Sequence, residues 1–278
     1  MACRDGSAAR APDIIYRLAA RRAIAERVII VVAHPDDETI GIGAQLSRLG
    51  DALLVHVTDG APRDGRDARS HGCASVAEYA ARRRAELAAA LAAGGAGPIR
   101  RLGFDCVDQE AAWMLPALIE RIALLLRSER PQAVFTHSYE GGHPDHDAAA
   151  LAVHASCRLM AGAGLPVPAI IEMALYHRRG GRLVRGGFVP AGRAVTTIAL
   201  DREECRRKRR MVAAFATQSA VLADFDLAAE RFRSAPDYDF GRPPHPGELH
   251  YETLGWGVTG DDWRRAAAAA LARLGLSR

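Results

Sequence analysis

A run of aliphatic residues at positions 28–33 constrains the fold more than any other feature of the chain. Short apolar runs of this kind, bounded by polar residues, are typical of buried strands. Two further runs, at 52–57 and 132–136, share the pattern, and helical patterns alternate with them. This alternation predicts an α/β fold with a Rossmann-like, largely parallel sheet flanked by helices on both faces. The helical patterns cover residues 39–49, 75–93, 111–128 and 145–160.

The pattern changes in the last part of the chain. Residues 169–189 predict a strand, a glycine turn and a second strand, and a further strand ("TTIAL") precedes a helix at about 201–220. We therefore expect a single domain over residues 1–278. Its core would span 28–165, and a smaller C-terminal β/α extension over 166–278 would complete the site.

Composition and charge exclude several classes of protein. Hydrophobic residues make up 49% of the 278 residues and charged residues 25%, which are ordinary globular values. The net charge is +4, but Lys208 is the only lysine, so the excess comes from arginine. The run "RRKRR" at 206–210 fits a solvated helix face better than a nucleic-acid patch, so we expect no nucleic-acid partner. The chain also lacks a phosphate-loop GxxxxGK[ST] motif.

Cysteine usage and hydropathy suggest a cytoplasmic protein. The five cysteines contain no CxxC pair and look like scattered, reduced thiols. No apolar run is long enough for a transmembrane segment, and the first 22 residues lack the apolar core of a secretion signal. Those Arg- and Ala-rich residues fit a short amphipathic helix packing on the body better than a transit peptide. The sequence carries no signal for the oligomeric state.

Two His-Pro-Asp tripeptides follow two of the predicted strands. "HPDDE" begins at His34, directly after the first strand, and "GHPDHD" supplies His143 and His146 after the strand at 132–136. A single tripeptide would usually be a helix N-cap. Because the carboxyl ends of parallel strands meet at one edge of a sheet, the pair predicts a metal site there. Imidazole and carboxylate groups such as Asp37 suit zinc, while ligand type alone leaves Fe²⁺ or another divalent ion open.

The two motifs together, "AHPDDE" and "GHPDH", resemble those of the PIG-L/LmbE-like family of zinc-dependent N-deacetylases, and the resemblance covers roughly residues 28–160. The resemblance implies a hydrolase that removes the N-acetyl group from a small-molecule N-acetylglucosaminyl conjugate. It further implies a set of residue roles. Zinc is held by His34, Asp37 and His146; Asp36 is the general base, His143 faces the oxyanion, and Asp145 orients His143.

Arg83 attracts attention independently of the motifs. The apolar stripe of the helix at 75–93 includes Tyr79 and Leu87, and Arg83 occupies the position between them at helical spacing. An inward arginine needs a partner. One interpretation is an ion pair with Glu86, and the family resemblance adds a contact to substrate hydroxyls. Arg82 is expected to face solvent.

The sequence also suggests two other interpretations. A catalytically silent sugar- or nucleotide-binding module could use the same fold, and metal analysis with an amine-release assay would distinguish it. A dehydrogenase is disfavoured because "GIGAQL" has Leu46 where the third glycine of GxGxxG belongs. The late helix also departs from many family members, since Phe215 and Ala216 stand where those members carry a histidine. No role is assigned to His245 or His250.

Overall fold

A computed structural model describes residues 7–95 and 99–276 of the chain; Cys3 therefore lies outside the described residues. Seven strands form one sheet in the order β3-β2-β1-β4-β5-β9-β8, and β6 and β7 form a separate hairpin. The strands are β1 Ile24–Val32, β2 Leu49–Pro62, β3 Arg100–Asp108, β4 Ala133–His137, β5 Ala169–Met173, β6 Tyr176–Arg179, β7 Arg182–Arg185, β8 Val195–Ala199 and β9 Ala229–Ser234.

The helices pack on both faces of this sheet. They are α1 Ser7–Ala19, α2 Asp37–Ile42, α3 Arg66–Ser70, α4 Val76–Ala93, α5 Leu115–Glu129, α6 Pro144–Gly162, α7 Arg202–Ala213, α8 Ser219–Leu222 and α9 Gly260–Arg273. In β1, Val28 and Ile30 face the layer that includes α1 and α4, while Ile29 and Val31 face the layer formed by α5, α6 and α9. Burial on both faces explains why this strand has no polar alternation.

The predicted α/β class is confirmed, because β1 to β5 pair in parallel. The predicted N-terminal helix is confirmed as well, since α1 packs against β5, β8 and β9. The C-terminal part of the chain does more than cover the core. It contributes β5 to the parallel sheet and adds β9 and β8 as antiparallel strands at that edge.

Three local predictions were wrong. The helix expected at about 201–220 ends at Ala213. The helix expected at 39–49 ends at Ile42, because Lys208 takes the Ile40 carbonyl (2.6 Å) and Glu230 takes the Ala44 N–H (2.8 Å). Strand β3 was not predicted at all. It lies at the edge of the sheet with its first four residues exposed, so it lacks the apolar run by which buried strands are recognised.

The structure also describes the arginine-rich run at 206–210, the cysteines and the apolar character of the helices. Arg206, Arg209 and Arg210 are exposed, as a solvated helix face requires, whereas Lys208 turns inward and pairs with Glu230 at 2.6 Å. The four described cysteines are free thiols. Among the described helices, none combines the length and apolar character needed to cross a bilayer.

Candidate metal centre at the carboxyl ends of the strands

The first His-Pro-Asp segment forms a tight loop between β1 and α2. Asp37 closes this loop, because its Oδ2 accepts the His34 N–H at 2.7 Å. Glu38 Oε2 accepts the Asp36 N–H at 3.1 Å, so Glu38 supports the loop structurally. Asp36 itself has φ 140°, a conformation that non-glycine residues rarely adopt. Strain of this kind persists where surrounding contacts hold it, and it is concentrated at functional sites.

The second His-Pro-Asp segment starts a helix instead. His143 is the N-cap of α6 and Pro144 is its first residue, where proline costs no hydrogen bond. The glycine before the motif is required by packing, because a Cβ on Gly142 would lie 2.2 Å from the Tyr176 carbonyl oxygen. The approach of the 175–185 segment to this loop therefore depends on Gly142.

The two loops meet at the carboxyl ends of β1 and β4. Asp37 lies between two imidazoles: its Oδ2 is 3.3 Å from His34 Nδ1 and its Oδ1 is 3.2 Å from His146 Nε2. These three residues, all buried, offer ligand atoms within 4.8 Å of one another. The set is the one that the family resemblance implied.

The chemistry of these atoms fits a divalent cation. His146 Nε2 is buried and lies 3.2 Å from Asp37 Oδ1 without making a hydrogen bond to it or to any other described residue. Burial lowers the pKa of His146 to about 3, so its imidazole is neutral and offers a lone pair. A neutral imidazole beside a carboxylate is what a metal ligand set requires.

Asp36 and Arg83 form a buried pair at the edge of this cluster. Arg83 Nη2 donates to Asp36 Oδ2 at 3.1 Å and to the Pro35 carbonyl at 2.7 Å. Burial raises the pKa of Asp36 to about 7, although the Arg83 charge opposes that shift. The cation is only 2% exposed, and its Nε and Nη1 have no partner among the described residues. Gly60 leaves room for it, since a Cβ there would lie 2.9 Å from Arg83 Nε.

This pairing excludes the ion pair between Arg83 and Glu86 that the sequence left open. Glu86 instead binds Thr217, accepting its N–H at 2.9 Å and its hydroxyl at 2.6 Å. Arg82 is exposed as expected. Arg83 lines the cavity above the cluster, and its contact to substrate hydroxyls stays a prediction.

His143 is held by the backbone of Asp145 more closely than by its carboxylate. The Asp145 N–H donates to His143 Nδ1 at 3.1 Å, whereas Asp145 Oδ2 is 3.9 Å from that nitrogen. Because Nδ1 accepts a hydrogen bond, a neutral His143 carries its proton on Nε2. Burial, with the nearby imidazoles of His34 and His146, holds the pKa of His143 well below its ordinary value.

The Asp145 carboxylate makes other contacts. It accepts the Gln109 N–H at 2.6 Å and the Ala111 N–H at 3.0 Å, and its Oδ2 lies 3.2 Å from His34 Nε2. Its position thus joins the end of β3 to the His34 ring.

Asp108 is the site residue that sequence reasoning missed. It ends β3, and its Oδ1 is 3.1 Å from His34 Nε2 and 3.8 Å from His143 Nε2. Together with His34, His143 and Asp145 it forms a second group that could hold a cation. The signal was available in the sequence as an aspartate at a strand end, but only if β3 had been recognised.

Other histidines support the cluster or lie apart from it. His137 Nε2 accepts the Ala33 N–H at 2.9 Å and is 3.4 Å from Asp37 Oδ2. His56 contacts Glu38 at 3.1 Å. His250 lines the cavity, whereas His245 does not.

A cavity of about 430 Å³ opens above the cluster. Its floor is formed by His34, Asp36, Asp37, His143 and His146, together with Asp108 and Arg83. Residues from 175–185, 218–225 and 250–256 also line the cavity. Phe215, at the position of departure from many family members, is buried in the hydrophobic core and supplies nothing to this cavity.

Comparison with known proteins agrees with the fold and motifs. Residues 29–157 match the family model PIG-L, described as GlcNAc-PI de-N-acetylase. A 1D-myo-inositol 2-acetamido-2-deoxy-alpha-D-glucopyranoside deacetylase from Thermobispora bispora is 31% identical over 210 residues, covering 63% of this chain and 68% of that protein. The chain belongs to the PIG-L family.

Other members of the PIG-L family are similar over shorter stretches. The enzyme of the same name from Tsukamurella paurometabola is 33% identical over 190 residues, covering 56% of this chain and 63% of its own length. Three curated relatives are matched over only 51% to 64% of their length. A solved deacetylase of the teicoplanin biosynthesis pathway superposes with a TM-score of 0.57 at 17% identity, over 74% of this chain and 96% of that one, which establishes likeness of fold.

Proposed function

We propose that this PIG-L family protein is a metal-dependent amidohydrolase that removes the N-acetyl group from an N-acetylglucosaminyl conjugate. The observation that carries the proposal is the meeting of His34, Asp37 and His146 beside Asp36 and His143 at the floor of an open cavity. The names of the curated relatives support the substrate class.

The residues around the cluster are suited to amide hydrolysis. His34, Asp37 and His146 would hold the cation, which when bound lowers the pKa of water and polarises a carbonyl oxygen. Asp36 accepts the proton of the attacking water and returns it to the leaving amine. Arg83 holds Asp36 by one oxygen, Oδ2. His143 donates from Nε2 to the oxygen that becomes negative, which a neutral imidazole in this tautomer can do.

We infer zinc as the native metal, from the histidine and carboxylate ligands and from the family resemblance. Fe²⁺ remains an alternative on ligand type. As the metal site we favour His34, Asp37 and His146 over the group that contains Asp108. In that second group the Asp145 carboxylate already accepts two backbone N–H groups. An Asp108→Ala variant is therefore expected to keep its metal.

We further propose that residues 1–278 act as a single domain, with the segment after residue 165 completing the site. Its support is the wall that this segment contributes to the cavity and the strands it adds to the sheet. The cytoplasmic location stays a prediction.

Metal analysis and an amine-release assay test the proposed function. The purified protein is expected to contain about one zinc per chain and to release primary amine from N-acetylglucosaminyl substrates. Chelation should abolish release, and added zinc should restore it. A protein that binds such sugars without releasing amine, with or without added zinc or Fe²⁺, would instead be the silent binding module.

A further inference from the structure

The loop that presents His143 contains two consecutive glycines just before it. Gly141 has φ 67°, and a Cβ on it would lie 2.6 Å from Leu249 Cδ2. Gly142 is required by the close approach of the Tyr176 carbonyl oxygen. Glycine restricts its own backbone less than any other residue does. The position of His143 therefore depends on contacts that other parts of the molecule make with this loop.

Three sets of contacts hold the loop. Asp147, in α6, accepts the N–H groups of Glu140 and Gly141, each at 3.1 Å. The His250 N–H donates to the Gly141 carbonyl at 2.8 Å. The third anchor is the side chain of Glu140, which is 2% exposed. The groups that bind the Glu140 carboxylate therefore decide one of the three anchors.

Residues of the C-terminal extension bind the Glu140 carboxylate. Its Oε1 accepts the Val189 N–H at 2.7 Å and a hydrogen bond from Arg233 Nη2 at 3.2 Å. Its Oε2 lies 3.5 Å from His177 Nδ1. Arg233 is 1% exposed, so the ion pair is shielded from solvent. Loss of either partner from such a pair leaves an uncompensated buried charge.

The sheet fixes Arg233 in turn. Arg233, in β9, stands opposite Glu172 of β5, and its Nε donates to Glu172 Oε2 at 2.6 Å. Its Nη1 donates to the Val189 carbonyl at 2.6 Å, and its guanidinium lies 4.2 Å from the centroid of the Phe188 ring. Its Nη2 also donates to the Tyr238 hydroxyl at 2.9 Å. The guanidinium thus joins the sheet to the glycine-containing loop.

We propose that Arg233 and Glu140 are positioning residues, whose ion pair fixes this loop so that the His143 ring stays in place beside the metal cluster. The inference rests on the proposed function and adds two residues that act on its oxyanion-facing group. Neither residue lines the cavity, so neither touches the substrate. Their effect on catalysis passes through His143, and it should vanish when the His143 imidazole is removed.

Steady-state kinetics measure the effect. Glu140→Ala and Arg233→Lys are each expected to lower kcat by about 10- to 100-fold, as a small misplacement of a catalytic group does, with KM changed by less than about threefold. Zinc content should be kept, because neither residue is a proposed ligand. The matched control is Glu204→Ala, because Glu204 is also a buried glutamate of the C-terminal extension, pairs with Arg48 and does not line the cavity. It should lower the melting temperature and leave kcat unchanged.

A double-mutant cycle separates positioning from a general loss of stability. Adding Glu140→Ala to His143→Ala should lower kcat by less than about twofold further, because residues that act through one group are not additive. The proposal is overturned if Glu140→Ala lowers kcat as strongly in the His143→Ala protein as in the wild-type protein. It is also overturned if Glu140→Ala and Arg233→Lys both keep the wild-type kcat.

Spectra of the histidine rings test the same contact without turnover. Long-range ¹H–¹⁵N spectra recorded with zinc added are expected to show changed His143 ring signals in Glu140→Ala and Arg233→Lys. The signals of His71, which does not line the cavity, should be unchanged. Unchanged His143 signals in both variants overturn the proposal, whatever happens to kcat. If the wild-type protein releases no amine but its His143 signals respond to both variants, the amidohydrolase assignment fails and the positioning contact stands.

Discussion

The two His-Pro-Asp segments have the same three residues and different structures. In the first, the histidine precedes a strained aspartate at φ 140°, and helix α2 begins one residue later at Asp37. In the second, the histidine is itself the N-cap, and the helix begins at Pro144. The third residue pairs with Arg83 in one segment and accepts two backbone N–H groups in the other.

The residue after each tripeptide is where the segments converge. Asp37 and His146 stand at equivalent positions, and their side chains lie 3.2 Å apart in the proposed ligand set. The contrast teaches that a short motif determines which groups reach a strand end, while the helix start determines which group faces the site. Equivalent positions in the two segments therefore give matched pairs of variants.

Variants of Asp37 and His146, the residues that follow the two tripeptides, should give the largest effect. Asp37→Ala and His146→Ala are each expected to lose the bound zinc, all measurable deacetylation and the thermal stabilisation produced by added zinc. Metal content by elemental analysis and melting curves with and without zinc would measure this. The control is Asp51→Ala, because Asp51 lies near the start of β2, at the end of the strand away from the metal cluster. If both variants kept their full zinc content, Asp37 and His146 would not be the metal ligands.

Variants of Asp36 and Asp145, the third residues of the two tripeptides, should differ in the size of their loss of activity. Asp36→Asn keeps size but cannot accept a proton, so deacetylation should fall roughly 100- to 10,000-fold while zinc stays near one per chain. Asp145→Asn disturbs the carboxylate contact to His34 but keeps the backbone N–H that holds His143, and we expect a loss of about 10- to 100-fold. Steady-state kinetics and metal analysis on both variants check the order. Zinc lost from Asp36→Asn but kept by Asp37→Ala would mean that the two roles are exchanged.

Arg83 sharpens the contrast because its hydrogen bonds go to Pro35 and Asp36, both in the first His-Pro-Asp segment. Removing it leaves Asp36 buried without its cation, so Arg83→Ala should lower kcat/KM by about 10- to 100-fold while zinc content is kept. Arg83→Lys should restore part of the loss. Arg82→Ala, at its exposed neighbour, serves as the control. Unchanged kcat/KM with a lowered melting temperature would assign Arg83 a purely structural role.

The prolines should give the smallest effect. Pro144→Ala replaces a first-turn proline and is expected to cost about 0.4–1 kcal/mol of stability with little change in kcat. Pro35→Ala loosens the turn that directs Asp36 and Asp37, so kcat should also fall, by a few fold. Melting temperatures and kcat for the two variants would be compared. Equal kcat values would indicate that the first loop is held by Glu38 and Arg83 without help from Pro35.

Much of this architecture could be predicted from local patterns. The buried strands at 28–33, 52–57 and 132–136 are continuous apolar runs, and the helix stripe that brings Arg83 inward follows from 3.6-residue spacing. The limits of α2 could not be predicted, because Lys208 and Glu230, more than 160 residues away in sequence, capture its backbone groups.

The sequence by itself determined the parallel α/β core and the arrival of two histidine- and aspartate-bearing segments at strand ends, since both follow from patterns within a few residues. The tertiary structure alone decided that the edge strand β3 brings Asp108 to His34, and that Arg83 pairs with Asp36 instead of Glu86. It also decided that side chains from residues 175–256 line the cavity together with the metal cluster. The physical reason is that these contacts join segments distant in the chain, whose pairing is set by packing and by the burial of charge, and no local periodicity records it.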